Sequence, residues 1–359
     1  MSCWSVGKSG VLQQVQVDMP IISNPQELLI QVQAASINPI DVHMQGGYGR
    51  NVLGAMRQLD ALAESKITCN ATTDEQPLVV GRDFAGVVVS CGRGVRGLDV
   101  GQRVMGVISP YKALGSHAPY VLAHKDNVVL CPPSLSSTEC ASVPYAALTG
   151  YSAAVVSGCH GDVGALQGIR VMVAGAAGGV GVSLVQMLQA WGAQVVGVCS
   201  LASFELLSSL GVLEFYDYQD NDAMQALTME RSFDLVLDAS GCRDLRYLEC
   251  LKTNRNASYV SLLSPLLKNT DAHGLLLGVA KSALELVQLN SSSLGKGRLV
   301  KWGYYSPSKQ ALAQIRDMMQ RGQLKPVLDQ VFPYSEAKAA YEHMQHGKHA
   351  GKTVLDMTV

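Results

Sequence analysis

The sequence lacks the paired cysteines and spaced histidines that mark many metal and disulfide sites. Its nine cysteines are scattered singly without a C-x-x-C pair, and its eight histidines form neither H-x-x-x-H nor H-E-x-x-H. Free thiols in a reducing compartment are therefore expected, rather than a disulfide framework or a zinc ribbon. His346 and His349 are spaced for one helix face, but we expect a solvated helix end there and predict no metal ligands.

Charge of either sign is also scarce. Lys and Arg number 28 against 29 Asp and Glu, and charged residues make up 16% of the chain. This balance excludes the electrostatic footprint of a nucleic-acid-binding protein. Residues 171–204 carry no charge at all, yet five glycines fall at turn positions within them. We therefore expect buried parallel strands there and no transmembrane segment.

Length and the N-terminus set further bounds. A chain of 359 residues, 48% of them hydrophobic, is long and apolar enough for two folded domains. No secretory signal is visible, and strand-like sequence begins almost at Met1. An organelle transit peptide is accordingly expected to be absent or already removed.

The most informative motif is a glycine cluster between an apolar strand and an amphipathic helix. Val171 and Val173 lead into Gly175, and Ala177, Gly178, Gly179 and Val180 follow. A second apolar strand at residues 194–199 completes the spacing of a βαβ unit. Glycines let the backbone approach phosphates, and the helix N-terminus favours their negative charge. The pattern predicts a dinucleotide site.

The order of elements predicts an α/β protein with two domains. The first 141 residues are rich in strand patterns, whereas strands and helices alternate after residue 170. We expect a doubly wound parallel sheet, a Rossmann domain, over residues 146–307. Residues 1–145 should form a β-rich catalytic domain, which residues 308–359 complete.

The end of the second Rossmann strand bears on cofactor choice. An NAD-selective site places an acid there to bind the ribose 2′-hydroxyl. This sequence has Ser200, followed by Ser203, and no Arg or Lys stands close by. Hydroxyl groups of Ser200, Ser203 and Tyr218 would then select NADPH, with modest strength.

A second constellation lies before the insertion at residues 50–76. Asn38 precedes Pro39 at a strand end, and Asp41 falls in the first turn of a short helix, where a structural role is expected. Asn38 could orient a carbonyl or a ribose, or simply cap the helix. Tyr48 could donate a proton, or simply pack. The insertion itself could form a short lid helix or remain solvated.

Together these motifs resemble the medium-chain dehydrogenase/reductase superfamily from end to end. Gly81-Arg82-Asp83 stands where zinc-dependent members have Gly-His-Glu with a histidine ligand, and the segment around Asn38 stands where they carry a ligand cysteine. Both metal positions are vacated, and we expect Arg82 and Asp83 to form an ion pair. The chain looks like the zinc-independent quinone oxidoreductase branch, whose Ala-x-Gly-Gly-Val-Gly motif matches residues 176–181.

The resemblance implies a GroES-like fold for the catalytic domain and roles for individual residues. Thr149 would lie beside the nicotinamide, while other residues would line the cofactor: Ala177, Gly178, Gly179, Val180, Ser200, Ser203, Tyr218, Leu262, Gly351 and Lys352. In related enoyl-thioester reductases a tyrosine at the place of Tyr48 assists protonation. Tyr48 and Asn38 are thus the candidate catalytic residues.

The resemblance also implies an activity. We expect NADPH-dependent hydride transfer to a quinone or enone acceptor, in the mitochondrial matrix and linked to ubiquinone. Alternatives are an enoyl-thioester reductase, or a cofactor-loaded protein that binds a protein partner and whose activity is vestigial. A cytoplasmic location and a homodimer are also compatible with the sequence.

Overall fold

The computed structural model describes residues 1–7, 10–63, 77–159, 164–253, 257–291, 293–347 and 349–359. Its strands and helices are numbered in chain order. A small antiparallel sheet near the N-terminus has the strand order β2-β1-β4. Its strands are β1 (Ser2–Val6), β2 (Leu12–Gln16) and β4 (Leu78–Val79).

The first domain is built on a seven-stranded sheet. Its strands are β3 (Glu27–Ser36), β5 (Asp83–Cys91), β6 (Arg103–Val107), β7 (Tyr120–His124), β8 (Val128–Leu130), β15 (Leu328–Pro333) and β16 (Lys352–Asp356). They follow the order β15-β16-β3-β5-β6-β8, and β7 also pairs with β3. Because β16 pairs antiparallel with β3, the C-terminal segment lies in the same sheet as β3.

The second sheet is parallel throughout. Its six strands are β9 (Arg170–Ala174), β10 (Gln194–Cys199), β11 (Glu214–Asp217), β12 (Leu235–Asp238), β13 (Ala257–Ser261) and β14 (Arg298–Trp302). The order β11-β10-β9-β12-β13-β14 is that of a Rossmann fold. The apolar residues of the charge-free stretch form its centre, since β9 is buried between β10 and β12.

Helices surround both sheets, and several begin where the sequence places a cap. Ser136 and Glu139 form a capping box ahead of one helix, and Pro144 is the first residue of the next. The helices are α1 (Pro39–Gln45), α2 (Arg50–Ala63), α3 (Ser137–Ala141), α4 (Pro144–Ser157), α5 (Gly179–Ala190), α6 (Phe204–Ser209), α7 (Asn221–Glu230), α8 (Leu266–His273), α9 (Leu275–Ser291), α10 (Lys309–Gln320) and α11 (Ala337–His346).

The insertion after Tyr48 begins with α2, which packs against α8 of the second domain. Asp271 fixes this contact, because its carboxylate accepts hydrogen bonds from the backbone N–H of Gly49 (2.5 Å) and of Asn51 (3.0 Å). The helical part of the insertion is thus docked across the two domains. Residues 64–76 lie outside the described part of the chain. No helix of the described residues is long and apolar enough to cross a membrane.

Candidate active site

The glycine loop between β9 and α5 has the geometry of an anion site. Gly175 has a φ of +72°, and a Cβ at Gly181 would lie 2.1 Å from the carbonyl oxygen of Gly175. Both positions therefore require glycine. Gly178 is the N-cap of α5 and offers no capping side chain, so no N-cap side chain accepts from the first N–H groups of this helix. Such N–H groups can bind an anion.

The other expected cofactor residues gather at the same edge of the Rossmann sheet. Ser200 follows β10, and its Oγ lies 3.2 Å from Oγ of Ser203. The backbone N–H of Tyr218 donates to the carbonyl of Cys199, which brings Tyr218 beside the end of β10. Leu262 follows β13 at this edge, and its N–H donates to the carbonyl of Asp238. The carboxyl ends of parallel strands are where such sheets bind ligands.

Gly351 and Lys352 bring the first domain against this loop. The backbone N–H of Gly351 donates to the carbonyl of Ala177 over 2.9 Å, and Gly178 and Gly351 form a β-bridge. The Lys352 stem lies over Gly179, where a Cβ would be 2.6 Å from Lys352 Cδ. The lysine therefore covers the start of α5 with its carbons and directs its ammonium elsewhere.

That ammonium belongs to a buried group of charges, here called the charge centre: Asp41, Arg82, Asp83 and Lys352. Lys352 Nζ donates to Asn38 Oδ1 over 2.5 Å and to the carbonyl of Ile37 over 3.1 Å. All four side chains are almost inaccessible to water. Two carboxylates and two cations balance one another formally, which is the condition under which buried charges are tolerated.

The pairing inside the charge centre differs from the expected Arg82–Asp83 ion pair. Arg82 Nε faces Asp41 Oδ1 at 3.6 Å, and its NH groups donate to the carbonyls of Ser109 and Lys112. Asp83 instead accepts from Ser36 Oγ (2.6 Å) and Asn38 Nδ2 (3.3 Å). Asp83 begins β5 and Arg82 lies in the bend before it, and the two side chains bond to different partners.

Burial shifts the pKa of every member of the charge centre. It raises the pKa of the Asp41 carboxyl, which Arg82 opposes, and raises that of Asp83, which Lys352 opposes. It lowers the pKa of the Lys352 ammonium against the attraction of Asp83, and that of Arg82 against Asp41. The effect of burial on each pKa is opposed by an oppositely charged member, which couples the four side chains.

Asn38 is held by this unit rather than exposed to a cleft. Its side chain bonds to Lys352 through Oδ1 and to Asp83 through Nδ2, and the residue is only 2% exposed. It is also the N-cap of α1, with its backbone N–H donated to Asp41 Oδ2 at 2.9 Å. The structural role expected for Asp41 is found, and the amide of Asn38 is engaged on both sides.

Tyr48 lies where the two domains meet. Its ring contacts His43, and Tyr304 and Asp271 of the second domain are close to it. Burial raises the pKa of the Tyr48 phenol, and the negative charge of Asp271 raises it further, so the phenol stays protonated at neutral pH. Thr149 lies in α4, which packs against α5, and its hydroxyl donates to the carbonyl of Tyr145.

His117 is a residue that sequence patterns did not single out. Its Nε2 lies 3.2 Å from the carbonyl oxygen of Ser36, and its Nδ1 lies 3.1 Å from the hydroxyl of Tyr341. A carbonyl can only accept, so Nε2 carries the proton and Nδ1 accepts from Tyr341. Burial lowers the pKa of His117 to about 4 and keeps the ring neutral. His117 thus contacts the end of β3, two residues before Asn38.

Comparison with known proteins places this architecture. Residues 24–133 match the alcohol dehydrogenase GroES-like domain, and residues 210–355 match the zinc-binding dehydrogenase model. The mitochondrial NAD(P)H oxidoreductase RTN4IP1 of Danio rerio is 34% identical over 99% of this chain and 91% of its own length. The chain belongs to the medium-chain dehydrogenase/reductase family. Its resemblance to that family is thereby confirmed.

Two more distant proteins, one by sequence and one by structure, are also similar to this chain. The trans-enoyl reductase pgmF of Aspergillus terreus is 28% identical over 92% of this chain and 86% of its own length. The structure of the quinone oxidoreductase from Coxiella burnetii has the same fold, with a TM-score of 0.74 at 24% identity, covering 99% of this chain and 98% of that one.

The residues at the family's catalytic zinc positions do not fit a zinc ion. Arg82 is a cation, and the oxygens of Asp83 already accept from Ser36 and Asn38. The ammonium of Lys352 lies in the same place. Zinc requires neutral or anionic N, S or O donors that are free to face the ion. We derive no step of the reaction through a metal here.

Proposed function

We propose that this protein is an NADPH-dependent oxidoreductase that reduces quinones or other conjugated carbonyls without a catalytic metal. The observation that carries the proposal is the continuous link through Lys352. Its stem covers the open N-terminus of α5, and its ammonium holds Asn38 in the first domain. The anion site and the interdomain cleft are thereby fixed relative to each other, which hydride transfer requires.

NADPH fits the Rossmann edge on three counts. The uncapped start of α5 suits the pyrophosphate, and glycine at 178 and 179 keeps the backbone accessible. No carboxylate among residues 200–204 repels a 2′-phosphate. The hydroxyls of Ser200, Ser203 and Tyr218 can donate to it. When bound, the cofactor supplies the hydride.

Tyr48 is our candidate for the proton side of the reaction. A quinone that accepts a hydride becomes a hydroquinone anion and needs one proton, whereas an enone takes the hydride at its β-carbon and a proton at its α-carbon. A protonated phenol stabilises the negative charge that develops on the oxygen. The hydroxyl of Tyr48 makes no hydrogen bond to another described residue, so it is available to an acceptor.

The roles of Asn38 and Lys352 follow from their bonds. With both ends of its amide engaged, Asn38 acts as a positioning residue that joins Lys352 to Asp83. Lys352 positions Asn38 and closes over the cofactor loop. Thr149 and Leu262 flank the nicotinamide end in this proposal, since they belong to α4 and to the carboxyl end of β13.

A direct assay tests the proposal. NADPH oxidation is followed against a short-chain ubiquinone, an α,β-unsaturated ketone and crotonyl thioester, each with chelator present and absent. Turnover of the quinone or the ketone that survives chelation is the expected result. Turnover of the crotonyl thioester alone would assign the chain to the enoyl-thioester reductases. NADPH binding without turnover would favour a cofactor-loaded partner-binding protein.

The cellular setting is part of the same proposal. Relatives such as that of Danio rerio are named mitochondrial, which supports a mitochondrial location for this chain. The matrix as its compartment and a link of its acceptor to ubiquinone complete the proposal. Fractionation of cells that carry the tagged protein tests the location, and a purely cytoplasmic signal would contradict it. Association with a protein partner or with a second copy stays a prediction.

A further inference from the structure

A cluster of metal-ligating side chains lies at the outer edge of the first domain's sheet, apart from the charge centre. Asp329 is in β15, His343 is in α11 and His349 follows that helix. Asp329 Oδ2 is 2.6 Å from His343 Nε2 and 3.1 Å from His349 Nδ1. One ligand atom from each residue lies within 4.8 Å of the other two. We propose that this triad binds a divalent first-row transition metal, with Zn²⁺ as the expected ion.

The backbone at Asp329 is irregular in a way that serves the triad. Leu328 pairs with Lys352 and Gln330 pairs with Thr353, which leaves Asp329 as the extra residue of a β-bulge. Bulges re-aim a side chain at the expense of regular pairing, and they are rare between parallel strands. Here the bulge allows Asp329 to face both histidines.

The imidazole of His349 has a ring nitrogen that is free to bind a metal ion. The side chain is 12% exposed, and its Nε2 is buried without a hydrogen-bond partner among the described residues. Its ring lies against Gly347, where a Cβ would be 2.2 Å from His349 Cε1. The close approach of the ring therefore depends on glycine at 347. The rings of His343 and His349 are 4.3 Å apart between centroids, so both can reach one ion.

The chemistry of the donors selects the class of ion. Two imidazole nitrogens and one carboxylate oxygen suit Zn²⁺ and its neighbours, whereas Mg²⁺ and Ca²⁺ prefer oxygen ligands alone. The three side chains are partly exposed, between 12% and 31%, so water can complete the coordination. His346 is not part of the set, because its Nδ1 faces the carbonyl of Glu342 in its own helix.

The triad lies close in sequence to the segment that contacts the glycine loop. His349 stands two residues before Gly351, whose N–H bonds to Ala177 in the glycine loop. An ion held by the triad would tie this segment to β15 and α11. Metal binding itself is proposed independently of the reaction, so the test below does not rely on the proposed function.

Calorimetric titration of chelator-treated protein with Zn²⁺ tests the site, and Co²⁺ spectra report the ligand geometry. We expect a site with one ion per chain. His343→Ala and His349→Ala should each weaken it by more than the roughly tenfold loss that follows removal of an outer-shell partner. His346→Ala is the matched control and should bind as the wild type does. Gly347→Ala should weaken binding while keeping all three ligands, and Mg²⁺ should give no saturable heat.

Circular dichroism and thermal unfolding of each variant without metal establish that it is folded. A lack of saturable Zn²⁺ binding would overturn the proposal. So would binding that survives in both histidine variants, because the free cysteines would then be the ligands. Loss of binding in His346→Ala to the same extent would equally contradict the assignment. NADPH oxidation by the same samples is scored separately, so failure of one proposal leaves the other testable.

Discussion

The first domain keeps two carboxylates and two cations out of water, whereas the dinucleotide-binding domain has no charged residue across residues 171–204. In the charge centre each ion interacts with a polar or oppositely charged side chain. Lys352, for example, donates to Asn38 and is attracted by Asp83. At the glycine loop no N-cap side chain accepts from the first N–H groups of α5, which can bind an anionic ligand. The charges of the first region are therefore balanced within the protein, whereas the second region binds a charge from a ligand.

This difference teaches where each region is vulnerable. Substitution in the charge centre leaves a buried charge without its partner, so the cost falls on folding. Substitution at the Rossmann edge changes the groups that contact the dinucleotide, so it lowers the affinity for the cofactor. The four predictions below test that division, beginning with the largest expected effect.

Lys352→Met should destabilise the protein most, because it strands the Asp83 carboxylate and the Asn38 amide. Removal of one partner of a buried pair costs about 3–5 kcal/mol. Urea unfolding followed by circular dichroism measures the change in the free energy of unfolding. The second substitution Asp83→Asn, combined with Lys352→Met, should recover part of that loss.

The matched control is Lys296→Met, which breaks the exposed contact with Glu249 at 3.3 Å. A surface pair is worth about 0–1 kcal/mol, so this variant should unfold nearly as the wild type does. If both lysine variants lose the same stability, the charge centre is not a unit.

His117 should make the protein sensitive to acid. Its pKa falls from 6.5 to about 4 on folding, so the unfolded chain binds a proton that the native state does not. Stability is then lost as the pH falls from about 6.5 to about 4, by on the order of 3 kcal/mol in total.

The measurement is the unfolding free energy against pH for wild type and His117→Gln. Asp41 and Asp83 titrate in the acid range with the opposite sign, because burial raises the pKa of each. The difference between the two curves isolates His117. Parallel curves would show that the ring does not stay neutral in the fold.

Tyr48→Phe should lower kcat on an enone by about a hundredfold, the usual cost of one lost oxyanion donor. NADPH affinity should stay the same, since the proposed role of the phenol is at the acceptor and not at the phosphates. A quinone needs protonation less in the transition state, so its loss should be smaller. Steady-state kinetics and fluorescence titration separate the two quantities.

Tyr216→Phe supplies the control, because that phenol donates to Glu214 in β11, away from the cleft. Full turnover of Tyr48→Phe on every acceptor would make Tyr48 a packing residue. An equal loss in both tyrosine variants would point to a general effect on the fold.

Substitution of Ser200 should have the smallest effect of the four, a change in the preference for NADPH over NADH. With hydroxyls and no cationic clamp, the preference for NADPH over NADH should be modest, about 1–3 kcal/mol for one or two charge-assisted hydrogen bonds. Ser200→Asp should reduce or reverse it by repelling the 2′-phosphate, and Ser200→Ala should reduce it only slightly. Titration with both nucleotides checks this, and equal wild-type affinities would refute it.

The sequence predicts best where local pattern and tertiary structure agree. The glycine loop, β9, α5 and β10 follow from spacing alone. It predicts less well after β13, where local pattern indicates neither α8, α9 nor β14. Their positions depend on packing against the edge of the sheet, which no local period records.

The candidate site shows the same limit more sharply. Asn38 and Tyr48 stand out by motif, but their partners Lys352 and Asp271 lie more than two hundred residues away. Arg82 was expected to pair with its neighbour Asp83 and pairs with Asp41 instead. His349 lies beside His343 and Asp329, and not on one helix face with His346. The reason is that α11 ends at His346 and Gly347 is its C-cap, so helical spacing does not extend to His349.

The position of β16 has a consequence for biosynthesis. Val354–Asp356 pair with Ala34–Ser36, so the penultimate stretch of the chain lies inside a sheet whose other strands are mostly made first. During translation at about 5–20 residues per second, Ser36 waits on the order of tens of seconds for that strand. Until then residues 34–36 at the end of β3 lack their β16 partner and Asp83 has no lysine. Nascent chains of this protein therefore pass through a long interval in which an open strand edge invites pairing with other chains, and protection by a chaperone is of most value there.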